Sequence, residues 1–310
     1  MMKEPSRRVS VALSVAVFLL AIVVKADAQT KQTTNTKPLT LGVVFQGSRQ
    51  PLEEHFRPLV NYAARKLTPT AETKGMVVVA PTAGQMMKLL EEKRVDFYME
   101  SPYPTYLINR LGAARLLLRR WKGGIAEYHS LIFTSKESGI ERLEDLRGKI
   151  IAFEDTGSTS GYFLPKLFLL NKGFSVVEKP GIKAKVSSGE IGYIFADTYK
   201  NIASLVLQNK LAAGAFSNDD YTNVDDTSKA SIAILGESEP MPRHLVSVRK
   251  DLPDPVAKRL KEALLSMHQD EEGKNILGKT DNTTKFDLLP GGEEMVRRKL
   301  VELYRPRRGK

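Results

Sequence analysis

Leu39-Thr40-Leu41-Gly42-Val43-Val44-Phe45 is a short apolar run that breaks into the polar stretch Gln46-Gly47-Ser48-Arg49-Gln50, and it reads as a buried strand followed by a loop. Outward from it, a helix is predicted over 51–67, with Leu52, Phe56, Leu59, Val60 and Ala63 on one face. A second short strand is predicted at 76–80, then a helix opening at Thr82 that turns Met86, Leu89 and Leu90 inward. Val95-Asp96-Phe97-Tyr98-Met99 is a third strand. Strand, helix, strand, helix, strand with short loops argues for an α/β sheet covered by helices. The alternation continues, with strands predicted at 128–134, 149–153, 191–195, 212–216, 232–235 and 244–248. Helices are predicted from near Ser160, over 198–207, and at 255–268, 271–277 and 293–304. The last is amphipathic through Met295, Val296, Leu300, Val301 and Tyr304. No repeat, low-complexity tract or Gly/Ser/Pro linker divides the chain. Two α/β units without a linker imply lobes joined by more than one strand, with a cleft between them.

The chain has 310 residues, room for about two domains. It contains no Cys, which excludes disulfides, thiolate zinc sites, iron–sulfur clusters and cysteine nucleophiles. Its four His, at 55, 129, 244 and 268, form no local metal motif. The net charge of +11 raises nucleic acid as a partner, and the N-terminus argues against it. Lys3, Arg7 and Arg8, an apolar stretch over 9–24 and Ala26-Asp27-Ala28 read as a cleaved export signal over 1–28, the other reading being an uncleaved anchor. Its removal leaves a net charge of +9 on a chain that begins at Gln29. The expected location is the periplasm, where nucleic acid is not a partner. The basic excess reads first as a solvated surface, and otherwise as attraction to anionic membrane or anionic ligands. Residues 29–37 read as a disordered leader, and the basic tail from Arg305 to Lys310 as a solvated end.

The segment that carries most chemistry is Phe153-Glu154-Asp155-Thr156-Gly157-Ser158-Thr159-Ser160-Gly161-Tyr162-Phe163-Leu164-Pro165, which follows a predicted strand and opens a predicted helix. Ser158, Thr159 and Ser160 offer three hydroxyls beside free backbone N–H groups at the positive end of a helix, an anion site without Lys or Arg. The same residues also read as an ordinary Ser/Thr helix cap. The loop lacks the lysine of a phosphate-cradling G-x-x-x-x-G-K-[ST] motif, and Thr159 stands where a nucleophile elbow needs Ser. A hydrolase using Ser158 or Ser160 with His129 or His244 therefore has only spacing in its favour.

Tyr98-Met99-Glu100-Ser101-Pro102-Tyr103-Pro104-Thr105-Tyr106 sits just after a strand, at the edge where open α/β sheets bind ligands. Glu100, Tyr103 and Tyr106 are candidates there; a Pro-capped helix start with packed tyrosines is the alternative. Asp219 and Asp220, in Ser217-Asn218-Asp219-Asp220-Tyr221, read either as acceptors for a protonated ligand group or as a helix cap. Phe45 and Gln46 close the first strand and supply a wall or a donor, or simply form a βα loop.

Several of these segments together resemble a known family: Tyr128-His129-Ser130-Leu131-Ile132-Phe133, Glu137-Ser138-Gly139-Ile140, Leu143-Glu144-Asp145-Leu146-Arg147-Gly148-Lys149 and the Ser158-Thr159-Ser160-Gly161 loop ahead of Pro165. Asn209 to Ala215 and Pro240-Met241-Pro242 add to the likeness. The chain resembles the phosphate/phosphite/phosphonate substrate-binding proteins of ABC transporters. The resemblance implies an α/β, two-lobed type 2 periplasmic binding protein with two hinge strands, near 128–134 and 232–237, and a ligand cleft between the lobes. Lobe one would comprise 38–134 and 238–310, and lobe two 135–237. Ser158, Thr159 and Ser160 would donate to the oxyanion, Asp219 or Asp220 would accept from it, and Tyr103 or Tyr106 would close over it.

This chain departs from the family pattern in three places. Thr105 stands where relatives carry the tyrosine of G-P-x-x-Y, Ala196-Asp197-Thr198-Tyr199 lacks a common His, and Glu100 is an added acid. They leave phosphonate, phosphite, phosphate or another oxyanion open as ligand. The expectation is a monomeric solute-binding protein that serves an ABC permease, with no catalytic residue, cofactor or metal. A sensory binding protein for the same ligands is the alternative, and a serine hydrolase the more distant one.

Overall fold

Two six-stranded sheets organise the chain. The computed structural model describes residues 37–45, 49–67 and 74–304, all within one unit. The proposed signal and most of the leader lie outside these residues, as do Gln46, Gly47, Ser48 and the basic tail.

The chain begins β1 (Leu39–Val44), α1 (Arg49–Leu67), β2 (Gly75–Ala80), α2 (Ala83–Glu91), β3 (Phe97–Glu100), α3 (Pro102–Asn109), β4 (Ala114–Lys122). It continues β5 (Glu127–Tyr128), β6 (Ser130–Ser135), β7 (Ile150–Phe153), α4 (Leu164–Asn171), β8 (Ser175–Glu178), β9 (Glu190–Phe195), α5 (Tyr199–Leu207), β10 (Ala213–Ser217). Short helices α6 (Asn218–Thr222) and α7 (Asp226–Ala230) lead to β11 (Ile232–Glu237), β12 (Met241–Pro242) and β13 (His244–Arg249). The described chain ends with α8 (Asp254–Ser266), α9 (Glu271–Lys279), β14 (Thr283–Asp287) and α10 (Glu293–Tyr304).

The first sheet runs β14-β4-β13-β3-β1-β2 and the second β11-β6-β10-β7-β9-β8. β1 pairs in parallel with both β2 and β3, as the alternation of strand and helix requires. The face of α1 expected from sequence is buried: Phe56, Leu59, Val60 and Ala63 pack with Leu41, Phe97 and, from α8, Leu260 and Leu264. Thr82 caps α2 by accepting from the Gln85 N–H at 3.1 Å.

The chain passes from the first sheet to the second after β4 and returns after β11, and the two crossing segments pair with each other. Tyr128 lies opposite Met241 and Glu127 opposite Pro242, antiparallel. The strands at 130–135 and 232–237 are members of the second sheet, so the chain crosses just outside them. The strand predicted over 128–134 breaks at His129, whose N–H donates to the Asn218 side chain at 2.9 Å. Strands β4, β8 and β14 have no counterpart in the hydrophobic pattern. β4 carries Arg115, Arg119, Arg120 and Lys122, β8 is a half-exposed edge strand, and β14 buries Phe286 but otherwise reads as polar. No helix among the described residues is long and apolar enough to cross a membrane.

β10, at the heart of the second sheet, admits no side chain at Gly214: a Cβ there would lie 2.3 Å from the Ile202 methyl and 3.2 Å from the Phe133 ring. Gly214→Ala is therefore expected to lower the unfolding free energy by about 1–3 kcal/mol, the usual range for overpacking. Urea denaturation measures this, and an unchanged midpoint would contradict the packing described.

Candidate functional site between the lobes

The loop after β7 enters a turn of π-helix (Thr159–Phe163) that runs into α4. Ser158 is its cap: its hydroxyl accepts from the Gly161 N–H at 2.9 Å and donates to Glu154 Oε2 at 2.7 Å. Cap and donor are thus the same hydroxyl at once. Gly161 is required by this approach, because a Cβ there would lie 2.6 Å from Oε2 of Glu154. Thr159 is buried, and its Oγ1 donates to Ser101 Oγ at 2.9 Å and accepts from the Tyr103 N–H at 2.9 Å. Those partners are the cap and first turn of α3, so one hydroxyl joins the second sheet's loop to the first sheet's helix. Ser160 is buried beside it, and the buried Tyr128 hydroxyl faces both Thr159 and Ser160.

The opposite wall is aromatic. Tyr103 stacks on Phe163 with ring centres 4.6 Å apart, and Tyr106 stacks on Tyr304 at 4.2 Å. Tyr304, at the end of α10, also lies 4.1 Å from Phe163 and 5.5 Å from Tyr103. The C-terminal helix thereby inserts a ring between a helix of the first lobe and the loop of the second. Burial holds the Tyr304 hydroxyl well above its ordinary pKa, and that hydroxyl has no hydrogen-bond partner among the described residues.

The charges of the site are balanced or suppressed. Asp219 is held by Arg243, whose Nη2 donates to it at 2.9 Å and Nε at 3.0 Å; the guanidinium also lies over the Tyr128 ring at 4.5 Å. Asp220 faces back to Ser217, accepting from its hydroxyl at 2.7 Å and closing the capping box of α6. Glu154 ends the strand-to-loop step after β7, and burial pushes its carboxyl up to about 7 against the lowering effect of the Ser158 hydroxyl. Glu100, the last residue of β3, is likewise pushed up to about 7 by burial, although the Val44 and Ser101 N–H groups donate to it. Each lobe therefore contributes one carboxyl that is part-protonated near neutral pH.

Of the residues singled out in the sequence, Tyr103, Tyr106, Thr159 and Ser160 meet at this junction. Phe45 and Glu100 line a cavity of about 440 Å³ at the carboxyl edge of the first sheet. Asp219 and Asp220 are occupied by Arg243 and Ser217, and Gln46 lies outside the described residues. Sequence reasoning passed over Glu154, Arg243, Tyr128 and Tyr304 as site residues. Only Glu154 left a local trace, as an acid at a strand's carboxyl end. A larger cavity of about 540 Å³ lies at the other, amino edge of the second sheet, around Lys149 and Lys210. His129 faces Glu237 at 3.6 Å, and no hydrogen bond among the described residues links His129 or His244 to Ser158 or Ser160.

Comparison with known proteins bears on the family and the fold. The family profile described as ABC transporter, phosphonate, periplasmic substrate-binding protein matches residues 41–289. The phosphate-import protein PhnD of Mycolicibacterium smegmatis is 26% identical over 219 residues, covering 68% of this chain and 64% of that protein. The chain thus spans a little under two thirds of the length of this curated relative. The structure of XAC2383 from Xanthomonas citri bound to chloride ion is similar with a TM-score of 0.76 and 31% identity, over 86% of this chain and 95% of that one. PhnD1 from Prochlorococcus marinus, in complex with methylphosphonate, gives a TM-score of 0.61 over 87% of this chain and 97% of that one; its 17% identity speaks to the fold alone. That fold is the type 2 periplasmic binding protein fold expected from the sequence.

The raised carboxyls have a signed consequence. A Glu with a folded pKa near 7 keeps its proton while the unfolded chain, at about 4.5, releases it. Each such group costs no stability at low pH, costs progressively more as pH rises from about 4.5 to 7, and levels off above that. The cost reaches up to about 3 kcal/mol for each group. Denaturation of Glu154→Gln and Glu100→Gln at pH 5 and pH 8 is expected to show variants gaining on the wild type at the higher pH. Profiles that run parallel would contradict the assignment.

Proposed function

The chain belongs to the periplasmic substrate-binding proteins of phosphonate ABC transporters, and on that premise we propose that it captures a phosphorus oxyanion in the cleft and delivers it to an importer's permease. The ligand is a phosphonate, phosphite or phosphate. The observation that carries this reading is the Thr159 hydroxyl, which sits where the lobes meet and bonds across to Ser101 and Tyr103. An oxyanion at that point exchanges these bonds for its own and touches both lobes, so that binding and closure are one event. The donors offered are neutral: the hydroxyls of Ser158, Thr159, Ser160 and Tyr128 and the Tyr103 N–H. Arg243 adds little net charge because Asp219 neutralises it. Glu154, when protonated, offers an O–H to the anion, and when ionised repels it.

In this reading the protein binds without making or breaking a bond. It is exported by residues 1–28, works as a monomer in the periplasm, and binds no nucleic acid. The name of the curated relative, a phosphate-import protein, supports the ligand class.

A thermal-shift screen of the chain from Gln29 against phosphate, phosphite, methylphosphonate and sulfate tests it, since a ligand that binds only the folded form raises Tm. The expected result is a selective rise with a phosphorus oxyanion, and no rise with any of them would overturn the proposal. Thr159→Ala is expected to weaken that ligand by about 1.5–3 kcal/mol, roughly ten- to a hundredfold in Kd. Calorimetry that returned the wild-type Kd would remove Thr159 from the site.

A further inference from the structure

The cavity at the carboxyl edge of the first sheet is about 440 Å³, a size that suits a small organic ligand and that a bare oxyanion would leave mostly unfilled. Its polar floor is a cluster built around one carboxylate. Arg120, only 2% exposed, donates through Nη2 to Asp281 Oδ2 at 2.8 Å and to the Asp281 carbonyl at 2.9 Å, while its Nε donates to Thr283 Oγ1 at 2.8 Å. Lys122 Nζ lies 2.9 Å from the other oxygen of Asp281. Two cations therefore share one carboxylate. Glu100 is the other acid on the wall, and its burial favours the neutral form. His244 is held neutral by burial, with Arg120, Arg243 and Lys122 nearby, and its Nδ1 has no partner among the described residues. His55 accepts from the Asp281 N–H at 2.8 Å. The cluster thus carries an excess of positive charge at the bottom of a recess whose sides, Phe56, Leu52 and Met99, are apolar.

The backbone that presents Asp281 is left-handed. Asp281 and Asn282 have φ of 47° and 50°, a region that Asp and Asn enter more readily than other residues with a side chain. Hydrogen bonds from Arg120 and from the Gly123 N–H to their carbonyls hold them there. The recess is also continuous in sequence with the junction of the lobes: Glu100 lines it, and the next residue, Ser101, accepts from Thr159.

We propose that this recess is a second anion subsite that receives the distal carboxylate of a short carboxyalkylphosphonate whose phosphonate group is held at the 158–160 loop. The assignment rests on the functional reading above. Lys122 and Arg120 face the carboxylate, and the apolar walls cover the methylene body. The same chemistry would also accept a separate small anion such as acetate, and the experiment distinguishes the two.

Isothermal calorimetry of the full mature chain with methylphosphonate, phosphonoacetate and 3-phosphonopropionate, on wild type, Lys122→Met and Lys122→Arg, is the test. Lys122 is partly exposed, so that its replacement leaves no bare charge in the core; Tm of each variant checks folding. The expected result is at least tenfold tighter binding of one carboxylated ligand than of methylphosphonate. Lys122→Met should abolish that gain, Lys122→Arg should keep most of it, and excess acetate should weaken the carboxylated ligand alone. Methylphosphonate binding with no gain from the carboxylate, or a gain that survives Lys122→Met, would overturn the subsite and leave the functional reading standing. Acetate that tightens methylphosphonate while the carboxylated ligands bind no better would show a separate anion and overturn the distal-carboxylate assignment. Failure of every phosphonate and of phosphate to bind would instead remove the functional reading itself.

Discussion

The chain crosses between its two sheets twice, side by side, and that constraint governs everything else. β5 and β12 pair over two residues each, so the two crossings form one tether between the lobes. With the tether there, the carboxyl ends of β3 and β7 open toward a common cleft, and the loops that follow them meet. The polar part of that meeting is small, a threonine hydroxyl bonded to a serine hydroxyl and a backbone N–H, and it lies beside the stacked rings of Tyr103, Phe163 and Tyr304. Contacts of this strength contribute about 1 kcal/mol each. In the proposed reading a ligand that offers better acceptors exchanges these polar bonds for its own.

The electrostatics of the cleft follow the same economy. Fixed charges near the junction are paired, Arg243 with Asp219, or have their proton affinity raised by burial, Glu154 and Glu100. In the proposed reading, what meets the anion is a set of neutral dipoles at the start of a helix, which act strongly where water is excluded. Unbalanced positive charge lies deeper, in the first lobe, where Arg120 and Lys122 share Asp281. In the proposed reading the two regions take different groups: a tetrahedral oxyanion at the junction and a second, weaker anionic group in the recess. The aromatic stack of Tyr103, Tyr106, Phe163 and Tyr304 ties the C-terminal helix into this junction, so that the last described turn of the chain packs at the candidate site.

Much of this was legible in one dimension. The strand–helix alternation from Leu39 to Met99, the buried face of α1 and the cap at Thr82 rest on periodicity and on hydrogen bonds between near neighbours, and these need no tertiary context. β4 was not legible, because Arg119 and Arg120 look like surface residues until Asp287 and Asp281, far along the chain, are seen beside them. Asp219 looked available for a ligand because nothing near it in sequence claims it. Arg243, which does, lies 24 residues on, past a strand and a crossing segment.

By itself the amino-acid order determined the two-lobed α/β plan and the hydroxyl-rich loop at a helix start, since side-chain period and capping are properties of short segments. The tertiary structure alone decided which groups face one another there: Thr159 to Ser101 across 58 residues, Tyr304 to Tyr106, and the partial burial that raises the carboxyls of Glu154 and Glu100. Burial and long-range pairing depend on how the sheets are brought together, and a carboxyl's charge state depends on both.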